Sequence, residues 1–177
     1  MTLDENDYLT HQLYTASKTP RIKKARIKGW IFTTGAFLCL TFLFFESNND
    51  FLGYYFLVAS GLSLTLYPFY SRWRHRNHYL KYVRDTYKNR FGTESTLEIN
   101  DNIIVAKDKT GEERINTSEI EEINEIRDFC FVKMTTGASL IISKAKADDI
   151  DKIKNQLRSL ADNKGIKYNM ELDWKWR

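Results

Sequence analysis

Histidine ends at His78, and the whole chain of 177 residues holds two cysteines, Cys39 and Cys130. The C-terminal half therefore lacks the parts for a Ser-His or Cys-His pair, or for a zinc site of the usual cysteine and histidine ligands. Cys39 falls in an apolar run and Cys130 between Phe129 and Phe131, so both read as small buried residues. Two such cysteines make no disulfide framework, which suits a domain kept in the cytoplasm. Charge is missing altogether from residues 29–45 and 51–71. Acids are missing from residues 18–28, which hold six bases, and bases are missing from residues 46–50, which hold two acids. Residues 72–90 carry seven bases against Asp85, whereas residues 91–177 hold 14 bases against 17 acids. The net charge of +4 thus comes from the two flanks of an apolar block.

That block predicts two membrane-spanning helices. Residues 29–45, "GWIFTTGAFLCLTFLFF", would make roughly 25 Å of helix, a little short of a hydrocarbon core of about 30 Å. Lys28 and Glu46 can snorkel from its ends. Residues 51–71 span the same thickness without help. A soluble hairpin, apolar all round, would need protein on every side, and the rest of the chain is too short to wrap two such helices. A cleaved signal peptide is also set aside, because 28 residues precede the first run and no small-x-small site follows it. Lysine and arginine resist translocation, so both termini are expected in the cytoplasm, with residues 46–50 as an external turn. The spans contain no Asp, Glu, Lys, Arg or His, hence no candidate proton relay or ion site. Gly35 with Cys39, and Gly61 with Thr65, offer weak small-residue spacings for close helix packing.

The membrane-flanking bases to watch are Arg21, Lys23, Lys24, Arg26 and Lys28 before the first span and Arg72, Arg74 and Arg76 after the second. Each is worth on the order of 1 kcal/mol near an anionic leaflet. Trp30, Tyr67, Tyr70 and Trp73 are the matching interface aromatics. Upstream, Tyr8, Leu9, Leu13 and Ala16 predict a short amphipathic helix over residues 5–17, closed by Pro20. Downstream, Tyr79, Leu80, Val83 and Tyr87 mark a helical stripe. His75 and His78, three apart among arginines with no third ligand, read as a solvated face and not as a metal site. Nucleic acid is not an expected partner, because the bases sit against the bilayer and the domain beyond is net acidic.

From Phe91 onward short strands replace helical periodicity. "STLEI", "IIVAKD" and "EERIN", separated by "NDN" and "KTG", predict a three-stranded meander. "SEIEEINEI" reads as a turn running into a strand, with Glu119, Glu121, Glu122 and Glu125 as a solvated acidic face. "FCFVKMTTGASLIISK" reads as a hairpin about Thr135 to Ala138, with Phe129, Phe131 and Met134 or their neighbours toward a core. Asp148, Asp149 and Asp151, then Ile150, Ile153, Leu157 and Leu160, then Gly165, predict a closing helix. The expected fold is an α+β membrane protein: a two-helix transmembrane hairpin plus a small cytoplasmic antiparallel β-sheet domain of about six strands with a C-terminal helix, of pleckstrin-homology-like outline. Its expected segments are 1–28 (amphipathic helix and basic flank), 29–45, 46–50, 51–71, 72–90 (basic juxtamembrane helix) and 91–177.

"DYLTHQLYTASKTPRIKKARIKGW", two membrane runs, and the segment from "LEINDN" to "DDIDKIKNQL" together resemble the YcxB-like family of small bacterial membrane proteins. The resemblance implies a bacterial inner-membrane protein with a cytoplasmic, pleckstrin-homology-like C-terminal domain, and it carries over no catalytic residues. Where the family often has "IIPK", this chain has "IISK", so Ser143 is expected to cap the last helix. The function expected is a membrane-tethered interaction or sensing module, with the lipid bilayer and a protein partner or second copy as its contacts, and no catalysis, cofactor or metal. The alternatives are headgroup binding by the cytoplasmic domain, whose first hairpin loop offers only Asn100, Asp101 and Asn102, and a membrane-bound enzyme. Trp174 and Trp176 fit docking on the domain, the membrane interface or a partner equally well.

Overall fold

The computed structural model describes residues 1–109 and 111–176; Thr110, in the predicted "KTG" turn, and Arg177 lie outside the described residues. Its elements are α1 (Glu5–Lys18), α2 (Pro20–Glu46), α3 (Asp50–Tyr87), β1 (Thr96–Ile99), β2 (Ile103–Asp108), β3 (Gly111–Asn116), β4 (Ile120–Ile126), β5 (Phe129–Met134), β6 (Ser139–Ser143), α4 (Ile150–Lys164) and β7 (Lys167–Glu171). They fall into two compact units. A helical unit comprises residues 12–81 with Trp176, and a sheet unit comprises Met1–His11 and Tyr82–Lys175.

In the helical unit, Pro20 stands at the start of α2, where its missing N–H costs no hydrogen bond. The basic flank and the first apolar run therefore form one helix of 27 residues. Asn48 takes the left-handed conformation (φ 55°), and the Asn49 side chain accepts from the Leu52 amide, so the turn ends by capping α3. α3 runs 38 residues without a break and joins the second apolar run to the basic stripe. Pro68 lies inside it and leaves the Leu64 carbonyl without its helical donor. α2 and α3 are both long and apolar enough to cross a membrane.

The helix pairing differs from the small-residue expectation. A Cβ on Gly35 or Gly61 would meet nothing within 4 Å, whereas one on Gly29 would stand 2.5 Å from the Tyr67 hydroxyl and one on Gly53 2.6 Å from the Phe45 ring. Close approach is thus at the two ends of the pair; between them Thr34 and Ser63 share a hydroxyl hydrogen bond at 3.0 Å, and near the turn the Phe44 and Phe56 rings stack at 5.3 Å. Cys39 is exposed, contrary to expectation, because it lies off this seam. Phe32 (79% exposed) and Phe51 (80%) point outward with many other large apolar side chains.

The sheet unit holds two sheets, β1-β2-β3 and β6-β5-β4-β7. The first is the predicted meander, with Ile104 opposite Ile115. In the second, β4, β5 and β6 are antiparallel, but β7 lies parallel to β4, with Ile123 opposite Tyr168. This corrects the expectation of about six strands, all antiparallel: a seventh strand follows the helix, because α4 supplies the crossover that a parallel pair requires. Ile104 and Ile115, Ile123 and Val132, and Leu157 and Leu160 bring both sheets and α4 to one core.

β5 is buried on both faces. Cys130, Val132 and Met134 face the core with α4, and burial pushes the Cys130 thiol up to about 11. Phe129 and Phe131 face the other way, stacked at 5.8 Å, and the His11 ring meets Phe131 edge-on at 5.1 Å. The start of α1 thus covers the second sheet's other face. Lys146 bonds Asp4 and Asp7 at 2.6 Å each, Arg84 bonds Glu5 through two nitrogens, and Tyr8 stacks on Tyr87 at 4.7 Å.

Ser143 does not cap α4. It ends β6, buried, and its carbonyl takes the Ala147 amide, while the cap is Asp149, which accepts from the Lys152 amide at 3.1 Å. Asp149→Ala is expected to cost about 1 kcal/mol, read as faster amide exchange in the first turn of α4. At the other end Gly165 takes φ 67°, and its amide and that of Ile166 return to the Ala161 carbonyl.

Candidate functional site

At the basic end of the α2–α3 pair, the close approach of Gly29 to Tyr67 opens into a groove of about 270 Å³. α2 supplies Lys23, Arg26, Ile27 and Trp30 to its walls, one helical turn after another, and α3 supplies Tyr67, Pro68 and Ser71. Arg26 Nε lies 3.4 Å from Ser71 Oγ, and its guanidinium stands 5.0 Å over the Trp176 ring. The Trp30 indole nitrogen is buried and has no hydrogen-bond partner among the described residues, and Arg72 Nε is in the same state. Among the described residues of the lining the charged groups are Lys23 and Arg26.

Of the residues expected to matter, Lys23, Arg26, Trp30 and Tyr67 therefore come together. Tyr70 and Trp73 continue from Tyr67 along α3 as a ladder of rings 6.3 and 6.2 Å apart, and both are mostly exposed. Arg72 packs over Phe69 at 5.5 Å. Arg21, Lys24, Lys28, Arg74 and Arg76 are exposed and do not line the groove. His75 engages the Ser71 carbonyl one turn back through Nδ1, at 2.8 Å. The sequence singled out no role for Ser71, whose place opposite Arg26 depends on how the helices cross.

The sheet unit has its own concentration of charge, around Glu125. This residue is 2% exposed, which corrects its reading as part of a solvated acidic face. It lies two residues beyond Ile123 on β4 and so shares the core-facing side. Lys144 Nζ is 2.7 Å from Oε1, and the Tyr168 hydroxyl donates to Oε2 at 2.7 Å. Arg158 reaches Oε2 at 3.2 Å, and Lys154, one turn earlier on α4, reaches Oε1 at 3.5 Å. Burial raises the carboxyl, but bonds from Lys144, Tyr168 and Arg158 outweigh it and hold it down at about 2. Such a group stays ionised at neutral pH and has no proton to offer, so it locks β4, β6, β7 and α4 together. Its neighbours Glu121 and Glu122 pair with Lys133 at the surface. The alternation Ile123, Glu125 and the i, i+4 pair Lys154, Arg158 were the signals in the sequence.

The described residues contain no group of three or more His, Cys, Asp or Glu side chains placed to hold a metal ion. Compared with protein-family models, curated proteins and solved structures, the chain has no significant match.

Proposed function

We propose that this chain is a membrane-tethered interaction module without catalytic chemistry of its own. The α2–α3 hairpin spans the bacterial cytoplasmic membrane, both termini lie in the cytoplasm, and the sheet unit offers its surface to a protein partner or a second copy. The observation that carries this reading is the outward apolar surface of two long helices, with Phe32 and Phe51 about four-fifths exposed, which water does not tolerate at this extent. The concentration of bases at one end of the pair supports the orientation. We place the chain with the YcxB-like proteins on the order of its segments, and propose a pleckstrin-homology-like relation on the two successive meanders closed by α4, with β7 as an addition. Headgroup binding by the sheet unit is less well supported, since Asn102 in the first hairpin loop is taken by Lys164 at 3.2 Å.

Affinity capture of the full chain from crosslinked cells, beside a control carrying the hairpin alone, tests the module. Recovery of a protein, or of a second copy, above that control is expected. Equal recovery from both would count against it.

A further inference from the structure

A sheet edge presents a row of backbone N–H and C=O groups that no neighbouring strand takes up, and proteins normally cover it or charge it. The sheet unit has four such edges, β1 and β3 in the first sheet and β6 and β7 in the second. β1 is continued by the pairing of Thr2 with Glu94, and its Ile99 carbonyl accepts from the Gln156 side chain. β3 carries Glu112, Glu113 and Arg114 in succession. β6 ends in three buried residues, Ile141, Ile142 and Ser143. β7 has neither proline nor a run of charge; its Met170 is 55% exposed, and Leu172 just beyond it is 46% exposed. Among the described residues of the sheet unit, only Tyr82 joins them as an exposed large apolar side chain.

Charge is ordered along this strand. Lys167, exposed, opens β7; Glu171, half-buried, closes it, and the exposed Asp173 stands two residues on. A second β7 laid antiparallel meets it base to acid at both ends, whereas a parallel copy would set base on base. Asn169 is the midpoint of the strand. Pairing along its whole length places Asn169 opposite its own copy, with Tyr168 opposite Met170 and Lys167 opposite Glu171, each twice. Glu171 also interacts within its own chain, and a carboxylate has acceptor sites for a second partner.

We propose that β7 is the contact through which two copies of this chain associate, by antiparallel pairing about a two-fold axis at Asn169. The two four-stranded sheets then run on as one, the outward backbone groups of β7 find partners, and Met170 is covered by the partner's Tyr168. The inference rests on the reading of the chain as an interaction module and names a second copy as its partner.

The test weighs the full chain in mild detergent by native mass spectrometry, with copies of two different masses so that mixed pairs are seen. A two-copy species is expected. Met170→Lys should weaken it by about tenfold or more. Lys167→Glu alone sets Glu against Glu171 twice, and Glu171→Lys alone sets Lys against Lys167 twice, so each should lose self-association to a similar extent. Mixing these two variants restores both ion pairs, and a mixed two-copy species should return to the wild-type level. A variant that had merely unfolded could not recover on mixing. Glu113→Lys, on the β3 edge, should change nothing. Absence of a two-copy species, indifference to Met170→Lys, or no recovery in the mixture would each overturn the β7 contact. A chain that captures another protein above the hairpin control, yet never a second copy, defeats only this inference, whereas equal recovery by that control defeats the module reading as well.

Discussion

Glu125→Ala is expected to destabilise the sheet unit by about 3–5 kcal/mol, because it leaves Lys144, Lys154 and Arg158 facing one another without their counter-charge. Lys144 is the most deeply placed of the three, with 15% of its side chain exposed, and it suffers most. Glu125→Gln keeps the volume and can still accept from Tyr168, but it too removes the charge and should fall between wild type and Ala. Hydrogen exchange of the β4 and β7 amides in the full chain reads the effect locally. The pH dependence has a definite sign. A carboxyl held at about 2 in the folded state and near its ordinary value when unfolded contributes fully above about pH 4.5. The contribution is lost as pH falls from there toward 2. Protection of β4 that stayed constant from pH 5 to 2.5 would contradict the role assigned to Glu125.

The second large effect is expected where α1 covers the sheet. Phe131 is 1% exposed, and Phe131→Ala should cost about 3–5 kcal/mol by opening a cavity beneath the His11 ring. His11 gives the same contact an acid sensitivity in a different window. Burial lowers its imidazole to about 4, so the folded state keeps it neutral while an undocked segment would protonate near pH 6.5. The docked form is favoured fully above about pH 6.5, and on the order of 2–3 kcal/mol is lost as pH falls to about 4. Exchange protection of α1 should therefore decline between pH 6.5 and 4, before the β4 amides respond. His11→Phe should remove that decline and leave the lower window in place.

These two contacts also show where sequence reasoning stops. Strands β1 to β6 were legible because "NDN" and "TTGA" punctuate alternating runs, and α4 because its aspartates, its apolar stripe and Gly165 agree with one another. β7 was missed because "KYNME" is short and half polar, and nothing local says that it will cross α4 to run beside β4. The cover on Phe129 and Phe131 was missed for a related reason. "FCFV" has no polar alternation, which is the mark of a strand buried on both faces, but the covering helix lies more than 100 residues earlier in the chain. Glu125 was misjudged because a run of acids was read by composition and not by strand parity. For the groove, the residue types at the basic flank were visible, yet the crossing of α2 and α3 that gathers Lys23, Arg26, Trp30, Tyr67 and Ser71 was not. The glycines against which the partner helix's side chains pack are Gly29 and Gly53, at the ends, and the sequence pointed to Gly35 and Gly61.

The central claim, that α2 and α3 cross the cytoplasmic membrane as a hairpin with both termini inside, is tested most directly by reporter fusions. An enzyme active only after export, inserted between Ser47 and Asn49, should be active, and the same enzyme joined to either terminus should be inactive. Activity at a terminus, or silence at the turn while the inserted chain is intact in the membrane fraction, would contradict it.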